Sequence, residues 1–115
     1  MVLIAEGKCV YVPLRPASYC SEVDQTTKIT SGDWCLDDGE LEAAFTSKTK
    51  LLILNTPHNP LGKVFTQKEL DRIAELCIKH NVICISDEVY EFITYDKPHI
   101  RIGMIAILNE KCNLY

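Results

Sequence analysis

No apolar run in this sequence approaches the roughly 20 residues that a helix needs to cross a bilayer. The runs that occur, among them Val82-Ile83-Cys84-Ile85 and Ile105-Ala106-Ile107-Leu108, are short. Met1-Val2-Leu3-Ile4-Ala5 is closed at once by Glu6, too short for the core of a signal peptide. An excess of positive charge is missing as well: 12 Lys plus Arg stand against 16 Asp plus Glu, a net charge of −4. Phosphate backbones are bound by clustered positive charge, so nucleic acid is not the expected partner. The 6 cysteines show no CxxC spacing and no Cys/His cluster of the zinc kind, so no metal site is expected. Without a secretory signal the thiols are expected to be reduced, in a soluble chain that touches no membrane. Internal repeats and low-complexity tracts are absent too. What remains is 115 residues, 47% apolar and 24% charged, the size and balance of one small globular domain.

The clearest stretch runs from Lys50 to Tyr95. Leu51-Leu52-Ile53-Leu54 is continuously apolar, which predicts a strand covered on both faces, as in a parallel sheet. It ends in Asn55-Thr56-Pro57-His58-Asn59-Pro60-Leu61-Gly62, a loop by composition. A helix then opens at Thr66, with Glu69 placed to complete a capping box and Phe65 and Leu70 placed for a hydrophobic staple. Leu70, Ile73, Ala74, Cys77 and Ile78 form one apolar face, while Lys68, Asp71, Arg72, Glu75 and Lys79 face water. Lys79 and His80 suit the C-terminal end of the dipole, and Asn81 suits a left-handed cap. The chain re-enters the core as Val82-Ile83-Cys84-Ile85-Ser86, which makes a βαβ unit.

Upstream the pattern is looser. Cys9-Val10-Tyr11-Val12 reads as a strand stopped by Pro13, and Pro16 through Trp34 as a polar surface excursion. Leu36-Asp37-Asp38-Gly39-Glu40-Leu41 repeats the staple and capping-box pattern and predicts a short helix through Phe45. Residues 1–6 suit a helix end followed by Gly7, Tyr11 and Trp34 suit packing, and 103–115 fit no element.

In a parallel unit both strands point the same way, so the loop after Leu54 and the segment after Ser86 emerge on one edge. Ligands of open α/β sheets sit at that edge. Asn59 lies in the first loop and Asp87 just past the second strand, with Tyr90 three residues on and on the same face if the segment turns helically. A carboxylate, a phenol and a carboxamide gathered there can hold a planar, polar heteroaromatic ring. The carboxylate would pair with a protonated ring nitrogen, and the phenol and amide would donate to a ring oxygen. An N-cap ending a buried strand is the plainer role open to Asp87, and the register with Asn59 and Tyr90 favours the ring. His58 reads as a loop side chain and not a catalytic base, Lys63 as leading into a helix start and pointing to solvent, and Glu88 and Glu91 as solvated or structural.

Asn55-Thr56-Pro57-His58-Asn59-Pro60-Leu61-Gly62-Lys63, followed by Ser86-Asp87-Glu88-Val89-Tyr90-Glu91, resembles the class I/II aminotransferases, fold-type-I pyridoxal phosphate (PLP) enzymes. Val12-Pro13-Leu14-Arg15-Pro16, Asp33-Trp34 with Leu36-Asp37, and Leu41-Glu42 through Phe45 fit the kynurenine–oxoglutarate transaminase, or cysteine-S-conjugate β-lyase, branch. The resemblance implies an α/β fold: a partial three-layer α/β/α arrangement with a mostly parallel sheet, from the aminotransferase large domain. It covers residues 1–102 as a partial PLP-binding domain and leaves 103–115 as a divergent tail. It implies Asn59 and Tyr90 as partners of the cofactor's 3′ oxygen, Asp87 as partner of the pyridine nitrogen, and a cis peptide at Asn59-Pro60. Implied too are amino acid and 2-oxo acid substrates, a homodimer, and a cytoplasmic or mitochondrial location.

The family's Schiff-base lysine falls past Tyr115 on the family's spacing, and no SxxxK pattern follows Asp87. No residue of this sequence is therefore assigned as catalytic, and the chain is expected to be an incomplete internal fragment, inactive alone. Two alternatives stand beside a transaminase fragment. One is a non-catalytic truncated product that interacts with full-length subunits. The other is a free-standing flavodoxin-like binding module, with Asp87 as an acidic strand-end residue.

Overall fold

The computed structural model describes residues 2, 4, 6–17 and 29–105. In them the chain forms strands β1 (Leu14–Pro16) and β2 (Trp34–Leu36), helix α1 (Asp38–Ala43), strand β3 (Leu51–Asn55), helix α2 (Gln67–His80) and strand β4 (Ile83–Asp87). The expected βαβ unit is there: β3 and β4 pair in parallel, Leu51 opposite Ile83 through Asn55 opposite Asp87. Helix α2 starts as its sequence dictates. Thr66 accepts from the Glu69 backbone N–H, and the Glu69 carboxylate accepts from the Thr66 N–H at 2.8 Å. Phe65 and Leu70 are both buried beside this cap, as a staple requires. The helix stops at Asn81, whose φ of 53° and ψ of 50° form the left-handed cap.

Burial along α2 is wider than one stripe. Leu70, Ile73, Ala74 and Cys77 are enclosed as the period predicts, and Leu76 joins them. The core continues through Leu41 and Phe45 near α1, Leu54 and Cys84 of the strands, and Val82, Ile102 and Ile105. The polar face of α2 is not simply solvated. Arg72 pairs with Asp38 at 2.6 Å and with Glu42 at 2.9 Å, and Lys79 reaches Glu42 at 2.8 Å, tying α2 to α1. The Arg72 hydrogen bond holds the Asp38 carboxyl below its ordinary range, and Lys79 does the same for Glu42.

The apolar runs of β3 and β4 are of the kind that is covered on both faces, and among the described residues only one face has that cover. Leu52, Leu54 and Cys84 turn inward, while Leu51, Ile53, Ile83 and Ile85 are exposed, Ile53 by 61%. A single crossover helix can cover only one side of a strand pair. The strand expected at 9–12 is not formed: Val10 and Tyr11 lie exposed, and among the described residues no strand pairs with them. Tyr11 is largely exposed instead of packed, while Trp34 is half-buried. The pairing falls instead on β1 and β2, antiparallel with Pro16 opposite Trp34, so the two ends of the supposed surface excursion are strand residues. Its middle lies outside the described residues.

Helix α1 begins where expected, Asp37 accepting from the Glu40 N–H at 2.8 Å. The Glu40 carboxylate, however, turns to Arg15 at 2.8 Å, which links α1 to β1. A turn closes at Gly7, whose N–H donates to the Val2 carbonyl, with Glu6 in the left-handed position at φ 56°. Cys9, Cys77 and Cys84 are in no disulfide, but Cys35 is disulfide-bonded, against the reduced state expected for every cysteine. The divergent tail was placed at 103–115; residues 106–115 lie outside the described set.

Candidate functional site

The carboxyl ends of β3 and β4 meet at the register pair Asn55 and Asp87. Just beyond them the two loops are laced together. The Asp87 carbonyl accepts from the Thr56 N–H at 3.0 Å and from Asn55 Nδ2 at 3.2 Å. Asn55 Oδ1 in turn accepts from the Asn59 N–H at 2.7 Å, folding the Asn55–Gly62 loop back over the strand ends. That loop carries cis peptide bonds at Thr56-Pro57 and Asn59-Pro60, the second of them expected. Its turn closes through His58, whose N–H donates to the Lys63 carbonyl at 2.8 Å and whose carbonyl accepts from Gly62 at 2.7 Å. Gly62 has φ +67°, which favours glycine there.

Asn59 and Tyr90 come together directly, Asn59 Nδ2 donating to the Tyr90 hydroxyl at 3.2 Å across a separation of 31 residues. Asp87 shares the edge and is exposed. One of its carboxylate oxygens accepts from the Val89 N–H at 3.3 Å, an Asx-type turn that fixes the start of the following segment. The segment does not continue as a helix. It makes two separate turns, Glu91 N–H to the Glu88 carbonyl and Ile93 N–H to the Tyr90 carbonyl. Tyr90 still reaches Asn59.

The donor set suits a ring of the expected kind. A side-chain amide can only donate through its nitrogen, so the Tyr90 oxygen is the acceptor in the bond from Asn59. The phenol proton is thereby free to be given to a second acceptor, and the other Nδ2 hydrogen of Asn59 is likewise available. Asp87 adds an exposed carboxylate with acceptor capacity beyond its bond to Val89.

Three residues around this edge behave differently from their sequence reading. Lys63 was expected in solvent, yet it is only 3% exposed. Its ammonium pairs with Glu69 at 2.8 Å and lies 5.2 Å from the centre of the Phe65 ring. The long apolar stem is buried beside the staple, and the charge is met by the residue that also closes the α2 cap. His58 Nδ1 is enclosed without a hydrogen-bond partner, and burial lowers its pKa, which keeps the imidazole neutral. Asn55 was not singled out as a site residue, although an Asn ending an apolar run just before a turn is a recognisable Asx signal.

The family described as aminotransferase class I and II matches residues 2–114. The chain belongs to that family, which is PLP-dependent. Kynurenine–oxoglutarate transaminase 3 of Mus musculus is 51% identical over 112 residues, covering 96% of this chain and 24% of its own length. Kynurenine–oxoglutarate transaminase 1 of Homo sapiens is 45% identical over 112 residues, covering 96% and 26%. Among solved structures, Bna3p of Saccharomyces cerevisiae superimposes with a TM-score of 0.82 at 42% identity, over 97% of this chain and 26% of its own. A PLP-bound structure from Clostridium difficile 630 gives 0.75 at 32% identity, over 98% and 26%. The chain thus spans about a quarter of the length of these relatives. The α/β fold expected from the sequence is that of these neighbours, and the flavodoxin-like alternative gives way to the family.

Proposed function

We propose that this chain supplies the ring-holding edge of a PLP-dependent transaminase that moves an amino group between an amino acid and a 2-oxo acid. The amino acid would be kynurenine, a glutamine-like amino acid or a cysteine S-conjugate, the last with β-lyase chemistry. The reading rests on the bond between Asn59 and Tyr90 beside Asp87, three groups from two segments gathered at the carboxyl edge of a parallel pair. PLP, when bound, acts as an electron sink for the substrate's α-carbon.

The residues here hold and bias the ring. Asp87 would stand at the pyridine nitrogen, where a carboxylate favours the protonated form. Tyr90 would give its phenol proton to the ring oxygen, and Asn59 would keep the phenol oriented while donating its second amide hydrogen. Lys63, buried against Phe65 with its charge answered by Glu69, is given no catalytic role in this reading. The part proposed for these residues is to hold the ring, not to turn over substrate. A homodimer, cytoplasmic or mitochondrial, is the assembly proposed for the transaminase. A second reading, a non-catalytic product that docks on full-length subunits, is favoured by the bare apolar face of β3 and β4.

The test is PLP binding by the 115-residue chain, followed by dialysis and borohydride reduction. PLP should bind reversibly, and Asn59→Ala and Asp87→Ala should each weaken it about tenfold, the scale of one charged or buried hydrogen bond. No single lysine should be labelled. Equal affinity in Asn59→Ala, Asp87→Ala and Tyr90→Phe would remove the ring-holding role, and stoichiometric labelling of one lysine would overturn the inactivity. A mixed dimer on co-expression with a full-length homologue would favour the second reading.

A further inference from the structure

The segment that carries Tyr90 leaves the sheet at Asp87 and returns to the core at Ile102, which is buried. One side chain ties its two ends together. Glu88 Oε1 accepts from Ser86 Oγ at 2.8 Å and from the Ile102 backbone N–H at 3.2 Å. Glu88 Oε2 lies 3.1 Å from His99 Nε2, and an ionised carboxylate can only accept, so His99 is the donor. The His99 side chain is 4% exposed and its Nδ1 has no hydrogen-bond partner, which leaves Glu88 as the polar contact that holds the ring in place. At the near end, the Glu88 carbonyl accepts from Glu91, so the turn bearing Tyr90 hangs directly on the Glu88 backbone.

Glu88, Glu91 and His99 also lie close enough together to suggest a cation site. Their bonding argues otherwise. Glu91 is held by the Arg101 guanidinium at 2.6 Å, which lowers its pKa and sets a fixed positive charge beside the cluster. The Glu88 oxygens already face three donors, one of them a backbone N–H that cannot withdraw.

We propose that Glu88 is a positioning residue for the ring site: by joining Ser86, His99 and Ile102 through one carboxylate, it sets the turn that presents the Tyr90 phenol to Asn59. Closing a segment of this length costs chain entropy, and without the clamp the turn would sample many orientations. The inference builds on the ring-holding reading but predicts an effect that exists without any cofactor.

The experiment is fluorine NMR of the full 115-residue chain labelled with meta-fluorotyrosine, the Tyr90 resonance being assigned by its loss in Tyr90→Phe. Amide exchange at Glu91 and Ile102 is followed alongside. Glu88→Ala should shift and broaden the Tyr90 resonance, as Asn59→Ala does, and speed both amides about tenfold. Glu88→Gln, which keeps an acceptor oxygen for Ser86 and Ile102, should restore the resonance. If Glu88→Ala unfolds the chain, Ser86→Ala is read in its place, with a smaller shift in the same direction. Faster exchange with an unmoved Tyr90 resonance would make Glu88 a mere anchor of the return segment and overturn the proposal. Failure of PLP to perturb Tyr90 in the unsubstituted chain would count against the cofactor reading alone.

Discussion

Leu52, Leu54 and Cys84 point to one face of the β3–β4 pair, and Leu51, Ile53, Ile83 and Ile85 to the other, yet among the described residues only the first face is covered. The residue types on the two faces are nearly the same. What separates them is α2, which the loop after β3 delivers to one side only. Composition therefore shows that a strand expects cover on both faces, while the number of layers that arrive depends on how much chain is folded around it. A bare face of four branched or long apolar side chains is also the kind of surface that invites association.

The comparison breaks most sharply by paired substitution. Leu70→Ala, on the covered side, should cost roughly 2–5 kcal/mol, because a fully enclosed side chain leaves a cavity. Ile85→Ser, on the bare side, should stay within about 0.5 kcal/mol and raise solubility. Chemical denaturation and gel filtration measure both, and equal losses would show that the second face is covered in solution.

A smaller effect tests the buried charge beside the staple. Glu69→Gln can keep the capping box, but it strips the counter-charge from Lys63. The expected loss is about 2–3 kcal/mol, below that of a fully buried pair because Glu69 keeps some contact with water. Lys63→Met should be close to neutral, since the stem already lies in apolar surroundings. A Lys63→Met variant as unstable as Glu69→Gln would mean that the pair itself, not the stranded ammonium, carries the energy.

The smallest step is set by pH. The folded pKa of His58 lies below its ordinary value, so the unfolded chain takes up the proton first. Its contribution is intact above the ordinary histidine range and declines as pH falls through it. Asp38 and Glu42 have folded pKa values below the ordinary carboxylate range, so what they add is present above that range and lost as pH falls below it. Thermal unfolding should show a shallow decline near pH 6, followed by a second in acid, and His58→Gln should abolish only the first. A profile flat from about pH 7.5 to 5.5 would contradict the enclosure of His58.

The edge was more legible than its supports. Asn59, Asp87 and Tyr90 could be placed from the direction of two parallel strands and the composition of the loops, because strand ends are where an α/β unit turns its polar groups outward. The Glu88 clamp could not. Its partners lie 2, 11 and 14 residues away, one of them is a backbone N–H, and no periodicity marks such a set. Lys63 was misread for a related reason: a lysine near a helix start is ordinarily solvated, and only the packing of Phe65 and the reach of Glu69 draw it in.

By itself the sequence determined the local units. The Thr66–Glu69 cap, the stop at Asn81, the period of α2 and the two apolar strands follow from hydrogen-bonding needs and side-chain spacing, which act over a few residues. The tertiary structure alone decided which face of the pair is covered, that β1 and β2 pair where the looser pattern placed an excursion, that Arg72 and Lys79 bridge two helices, and that Glu88 joins both ends of the Tyr90 segment. Each of those depends on groups far apart in the chain, whose meeting is set by the packing of whole elements.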